Sequence, residues 1–187
     1  MRRVLFAAVV IAWSETARAD AEVSLAYGLT HASSSSFDGA GASAVRNGGL
    51  GVALHGAMRF THPVMPFIEL GDSAVYASDD AVDLGAYGGR TVARSHSRTW
   101  WALAGPEVPI GPVRLWGGIG AFGLQIRSTV LGQSMSTGDL SMGYGLGASV
   151  HLLSRRWFRV GVAGRVLLMS EVETALYHGG LFVGAVL

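Results

Sequence analysis

The stretch Leu140 to Leu152, LSMGYGLGASVHL, constrains this chain more than any other. Leu140, Met142, Tyr144, Leu146, Ala148, Val150 and Leu152 share one parity, while Ser141, Gly143, Gly145, Gly147, Ser149 and His151 share the other. A period of two belongs to a β-strand, whose successive side chains point to opposite faces. A sheet with one wet face would place Lys, Glu or Thr on the second parity. Glycine, serine and a single histidine stand there instead. Small residues behind a wholly apolar face fit a narrow barrel turned inside out, apolar outside and polar within.

The N-terminus reads MRRVLFAAVVIAW, two arginines followed by an uncharged run from Val4 to Trp13. That run is too short to cross a bilayer as a helix, which needs about 20 apolar residues. A polar stretch and Ala17-Arg18-Ala19 come next, so residues 1–19 read as a secretory signal peptide, with Ala21 the competing cleavage position. The remaining 20–187 then form one domain. Removing Arg2, Arg3, Arg18 and Glu15 turns the net charge of +1 slightly negative, which gives nucleic-acid binding no electrostatic support. With no cysteine there is neither a disulfide framework nor a thiolate metal site. Half the residues are hydrophobic and 27 are glycine, yet no run after the signal reaches helical transmembrane length.

The alternation recurs along the chain. Strands are expected over Val23–Thr30, Leu50–Thr61, Phe67–Tyr76, Thr91–Gly105, Val113–Arg127, Leu140–Leu152, from Phe158 to Leu168, and over the C-terminal stretch ending at Leu187. In the fourth, Arg94, His96, Arg98 and Trp100 are placed inward, opposite Thr99, Trp101 and Leu103. In the fifth, Leu115 conflicts in parity with Phe122, Leu124 and Ile126, and a bulge near Gly117, Gly118 and Gly120 would reconcile them. Turns at His62–Pro66, Gly105–Pro112 and Ser154–Trp157 follow strands two, four and six. Longer polar loops follow strands one, three and five, including Ser78–Gly89 and Ser128–Asp139, and only the connection after strand seven, near Glu171 to Ala175, breaks this order by being short. Eight strands near the ~9–11 residues of a tilted membrane strand, with short and long connections at opposite ends, predict a closed, antiparallel, up-and-down transmembrane β-barrel. Phe60, Phe67, Trp101, Trp116, Trp157 and Phe158 flank the short turns as an expected aromatic girdle, with Tyr76, Tyr144 and Tyr177 at the other rim.

On this pattern the chain resembles the small eight-stranded outer-membrane barrels of the OmpA/OmpX type. It departs from them in ending on Leu187, where such barrels commonly carry an aromatic residue. The resemblance implies a bacterial outer-membrane location, with long loops outside and termini in the periplasm. It also implies insertion by periplasmic chaperones and the barrel assembly machinery, and contact with outer-membrane lipids. An extracellular ligand would engage the loops after strands one, three and five, and the barrel is expected to be a monomer.

An interior filled by eight strands leaves no open pore, and its charges need partners. Glu69 reads as the only acid in the central interior, with Arg59, Arg98 and Arg165 as candidate partners and Arg59 directly across the hairpin. A gated conduction path along the same charges is the competing reading. His55, His151 and His178 also point inward but share no metal-ligand spacing, and Asp79, Asp80 and Asp83 match no calcium-loop pattern. No metal or cofactor is expected. Adjacent His96 and Ser97 face opposite ways on a strand and cannot form a hydrolytic pair. A non-catalytic structural or surface-interaction role is therefore expected. The alternatives are a lipid A-modifying hydrolase or acyltransferase on the same scaffold and, more remotely, a soluble lipocalin-like barrel.

Overall fold

The structure is a computed structural model of the 187-residue chain and describes residues 20–33, 45–46, 48–59, 63–83, 89–170 and 175–187. The expected signal segment, Phe60 and most of the expected loop after the first strand lie outside these residues.

Among the described residues alternating sequence produces nine strands: β1 (Asp20–Ser33), β2 (Val45–Arg46), β3 (Gly48–Arg59), β4 (Met65–Asp83), β5 (Arg90–Ile110), β6 (Val113–Val130), β7 (Gln133–Ser154), β8 (Phe158–Met169) and β9 (Ala175–Val186). β2 is a two-residue piece resting on β4. The other eight each pair antiparallel with the next, and β1 pairs with β9, so the ring closes. Closure leaves no open edge around the ring itself. The connections Arg59–Met65, Ile110–Val113 and Ser154–Phe158 lie at one end, together with Asp20 and Leu187. We call this the turn end, and the opposite one the hairpin end.

The expected apolar face points outward. Leu140 is 60% exposed and Met142, Tyr144 and Leu146 are each 59% exposed, and Leu25, Tyr27, Leu29, Leu181 and Val183 continue the same belt. Two strand phases differ from expectation. In β5, Thr99, Trp101 and Leu103 are buried inside while Trp100 is 44% exposed outside, so Arg98 and His96 also face out. In β6 there is no bulge, because one unbroken register pairs it with β7 from Val113↔Val150 to Val130↔Gln133. Phe122 is consequently an interior residue and Leu115 an exterior one.

The girdle is correspondingly thinner at the turn end. Phe67, Trp101 and Trp116 are interior, leaving exposed Trp157 and half-buried Phe158. Glycine explains how the rings fit. A Cβ on Gly71 would stand 2.1 Å from the Trp101 indole, and one on Gly147 2.3 Å from that of Trp116. The glycine face of Leu140–Leu152 therefore houses large apolar side chains, Phe122 against Gly143, Leu103 against Gly145 and Trp116 against Gly147.

Of the expected loops, the described residues 78–83 are strand, and Ser128–Asp139 is sheet apart from its two-residue turn. β4 to β7 are 18 to 22 residues long, against 12 in β3, β8 and β9. Polar side chains do not stop a ladder that a membrane-length hairpin has already begun. The β6–β7 ladder runs to a two-residue turn at Leu131 (φ 52°) and Gly132 (φ 78°), the left-handed pair that suits strand twist. Similarly, β5 continues through the expected turn at Gly105–Pro112, and only Gly111 (φ 61°) and Pro112 turn the chain. β7 pairs with β8 only up to Gly143↔Met169, with one further bond from Ser170 N–H to the Met142 carbonyl. Beyond that point β4 to β7, with β2 paired along β4, continue as sheet past the last rows that β7 shares with β8.

Candidate functional site

The interior divides into two layers. Toward the hairpin end lie Val75, Trp101, Phe122, Leu167 and Leu176, all buried in one apolar cluster. Toward the turn end, the inward parities of seven strands deliver charge. Glu69 is 0% exposed, and its Oε1 accepts from the Trp101 indole N–H at 2.9 Å and lies 3.1 Å from Arg165 Nη1. The Arg165 guanidinium is also set 5.9 Å from the Trp116 ring centroid. Glu69 Oε2 is 3.2 Å from His55 Nδ1, and His55 Nε2 is 2.6 Å from Glu107 Oε2. Arg114 Nη1 donates to Glu107 Oε1 at 2.7 Å, and its Nη2 donates to Glu22 Oε2. Arg159 Nη1 donates to the same Glu22 oxygen, and His151 Nε2 stands 3.8 Å from Glu22 Oε1.

This is one connected column from the barrel midpoint to the turn end. Glu22, Glu69 and Glu107 balance Arg114, Arg159 and Arg165 before any imidazole is counted. His55 occupies the critical joint, since both ring nitrogens face carboxylates. A neutral ring donates one hydrogen only, so two hydrogen bonds here require a second proton on the ring or one on a carboxyl group. The ring stacks on Phe67, with centroids 5.0 Å apart, which fixes it between the two acids. Beside it is a cavity of about 20 Å³ lined by His55, Glu69, Glu107 and Arg114, room for a single water.

The four residues expected to meet do so only in part. Glu69 and Arg165 meet inside. Arg59 does not face Glu69: the β3–β4 ladder sets Ala57 opposite Phe67 and His55 opposite Glu69, leaving Arg59 exposed at the strand end. Arg98 lies on the outer face, where its Nη2 donates to Asp72 Oδ1 at 2.8 Å. The cause is the β5 phase, held by Trp101 lodging against Gly71 and bonding Glu69.

Glu69 is also not the only interior acid. Glu22 shares its parity with Ser24 and Ala26, so the inward pattern extended one step back would have found it. Glu107 was hidden in an expected turn, and Arg114 precedes Leu115 on the inward parity of β6. His178 is buried 6.1 Å from the Trp101 ring. His96 is exposed and Ser97 buried, on opposite faces. Among the described residues no group of three or more His, Asp or Glu side chains is placed to hold a metal ion. Asp79, Asp80 and Asp83 belong to β4 rather than to a loop.

No protein-family model and no curated protein sequence matches this chain. Solved structures do match. Ail, the attachment invasion locus protein of Yersinia pestis, superposes with a TM-score of 0.63 at 15% identity, covering 90% of this chain and 98% of Ail. In complex with the heparin analogue sucrose octasulfate, Ail matches with a TM-score of 0.61. OprG of Pseudomonas aeruginosa matches at 0.55 with 13% identity, covering 87% of this chain and 95% of OprG. The chain therefore has the fold of the small eight-stranded outer-membrane β-barrels.

Proposed function

We propose that this chain is a non-catalytic, monomeric outer-membrane barrel whose protruding sheet is a surface-interaction element and whose ion-paired interior is a closed structural core. The observation that carries this reading is the free edge of β7. From Gln133 to Ser141 it is paired with β6 and, among the described residues, has no partner on its other side. Such an edge offers unpaired N–H and C=O groups to an extended segment of another chain. It carries neither the lysine nor the proline that commonly blunts an exposed edge. That Ail has been crystallised with a ligand supports an interaction role over a purely architectural one.

In this reading residues 1–19 are removed on export, chaperones and the barrel assembly machinery insert the remainder, the hairpin end faces outward and the turn end lies in the periplasm. A lipid A-modifying activity has no comparable support, because among the described residues no hydrogen bond joins a serine to a histidine.

The test uses the absence of native cysteine. Ser134→Cys should be labelled on intact cells by a membrane-impermeant maleimide, and Ser154→Cys only after the outer membrane is opened. Recovery of the protein with the soluble fraction, or the reverse labelling pattern, would overturn the reading.

A further inference from the structure

The outer surface has a feature that neither the free edge nor the interior uses. Around most of the ring the exterior is apolar up to its last paired rows. On β5, β6 and β7 the last apolar row is Trp100↔Gly123↔Leu140. The next rows toward the hairpin end are Arg98↔Gln125↔Gly138 and then His96↔Arg127↔Ser136, all on the outward parity. Arg98, His96 and Arg127 are exposed, and Arg94 continues the series one row higher. Among the described residues the opposite wall carries no arginine at this level: above Leu168 and Leu29 stand Ser170 and His31.

We propose that this patch binds the phosphate groups of a phosphorylated glycolipid in the surrounding outer leaflet, with Arg98 and Arg127 as the principal donors and His96 between them. Charge complementarity selects an anion, and Arg forks suit phosphate in particular because they donate in parallel pairs. Acid nearby does not cancel the patch. Asp72 takes Nε and Nη2 of Arg98 at 3.2 and 2.8 Å, leaving Nη1 and most of an exposed side chain available. Asp79 stands opposite Arg94 in the ladder, whereas the residues facing Arg127 are His96 and Ser136.

What selects a lipid over a soluble anion is the row beneath. The Trp100 indole lies across Gly123, where a Cβ would come within 2.1 Å of its ring, and Leu140 and Met142 continue the apolar wall beside it. An amphiphile can place its phosphate on Arg98 and Arg127 and its acyl chains along Trp100 and Leu140 at once. A free polyanion gains only the first contact.

The inference rests on the outer-membrane reading with the hairpin end outward, so its test has two arms. Detergent-solubilised full-length protein is analysed by native mass spectrometry with bis-phosphorylated lipid A and with its dephosphorylated form. The phosphorylated lipid should bind at least about tenfold more tightly, and the pair Arg98→Gln with Arg127→Gln should remove that preference. Arg155→Gln with Arg156→Gln, at the turn end, should not. Equal binding of the two lipids, an equal loss in the turn-end control, or displacement of the lipid by millimolar inorganic phosphate or sucrose octasulfate would overturn the proposal. Heat-modifiable gel mobility verifies that each variant is a folded barrel. The Ser134→Cys labelling arm separates the failures: a labelled hairpin with no phosphate preference sinks the lipid site alone, while an unlabelled one removes the orientation and the site with it.

Discussion

At the residue scale the tightest demand falls on Glu69. One carboxylate meets an arginine, an imidazole and an indole N–H, all in a fully buried position. Truncating it leaves the Arg165 charge and the indole donor without their shared partner. Glu69→Ala should therefore destabilise the barrel by about 3–5 kcal/mol. Urea unfolding in lipid vesicles, followed by tryptophan fluorescence, measures it, and a loss below ~1 kcal/mol would mean that the column contributes little. His55→Ala should weaken the same region from the other side, because it brings Glu69 and Glu107 together with nothing between them. A second demand is steric. Gly71→Val has no room beside Trp101, and overpacking of this kind costs about 1–3 kcal/mol by forcing the ring off its rotamer. The pairing with Trp101→Ala should recover part of that loss, a comparison that a double-mutant cycle reads directly.

At the scale of elements, unequal strand length matters most. β3, β8 and β9 stop where the apolar belt stops, while β4 to β7 carry on as sheet. Among the described residues the protruding part is paired only within itself and with β2, and the β1–β9 ladder that closes the ring lies outside it. Replacing residues 127–136 with a two-residue Asn-Gly turn should leave heat-modifiable mobility unchanged and abolish surface labelling at the former hairpin tip. If the shortened protein fails to fold, the protrusion belongs to the barrel's stability rather than to its interactions. The turn itself is a sensitive point. Gly132→Val puts a β-branched side chain at φ 78° and should cost about 1 kcal/mol or more, seen as slower refolding or a lower midpoint in urea.

At the scale of the whole molecule, the two interior layers define what can pass. The ionic column opens toward the turn end, but Trp101, Phe122, Leu167 and Leu176 close the way to the hairpin end. An apolar layer holds no water chain to carry an ion, so the protein should give no single-channel steps in a planar bilayer. Trp101→Ala with Phe122→Ala should open a measurable conductance. Steady conductance from the unaltered protein would contradict the closed interior.

Much of this architecture was legible in the alternation alone. Strands with small inward residues, such as Leu140–Leu152 and the C-terminal strand, were readable because one face is wholly apolar and the other almost empty. β5 and β6 were not, because Trp101, Leu103 and Phe122 are as apolar as any lipid-facing residue, and hydrophobicity cannot say which side of a wall a ring lies on. Glycine decides that, by leaving space on a neighbouring strand for a particular ring, and the neighbour's register is a property of the ring of strands.

The interior charges divide in the same way. Glu69 and Arg165 were visible as polar residues on an otherwise small inward parity. Their partners were not, since register chose His55 over Arg59 and the β5 phase carried Arg98 to the outer surface. By itself the sequence determined that the chain forms alternating strands with an apolar exterior, because parity is local and follows from backbone geometry. Only the closed tertiary structure decided which charges meet, which rings fill the core and where the sheet leaves the belt, because each depends on contacts between strands far apart in the chain.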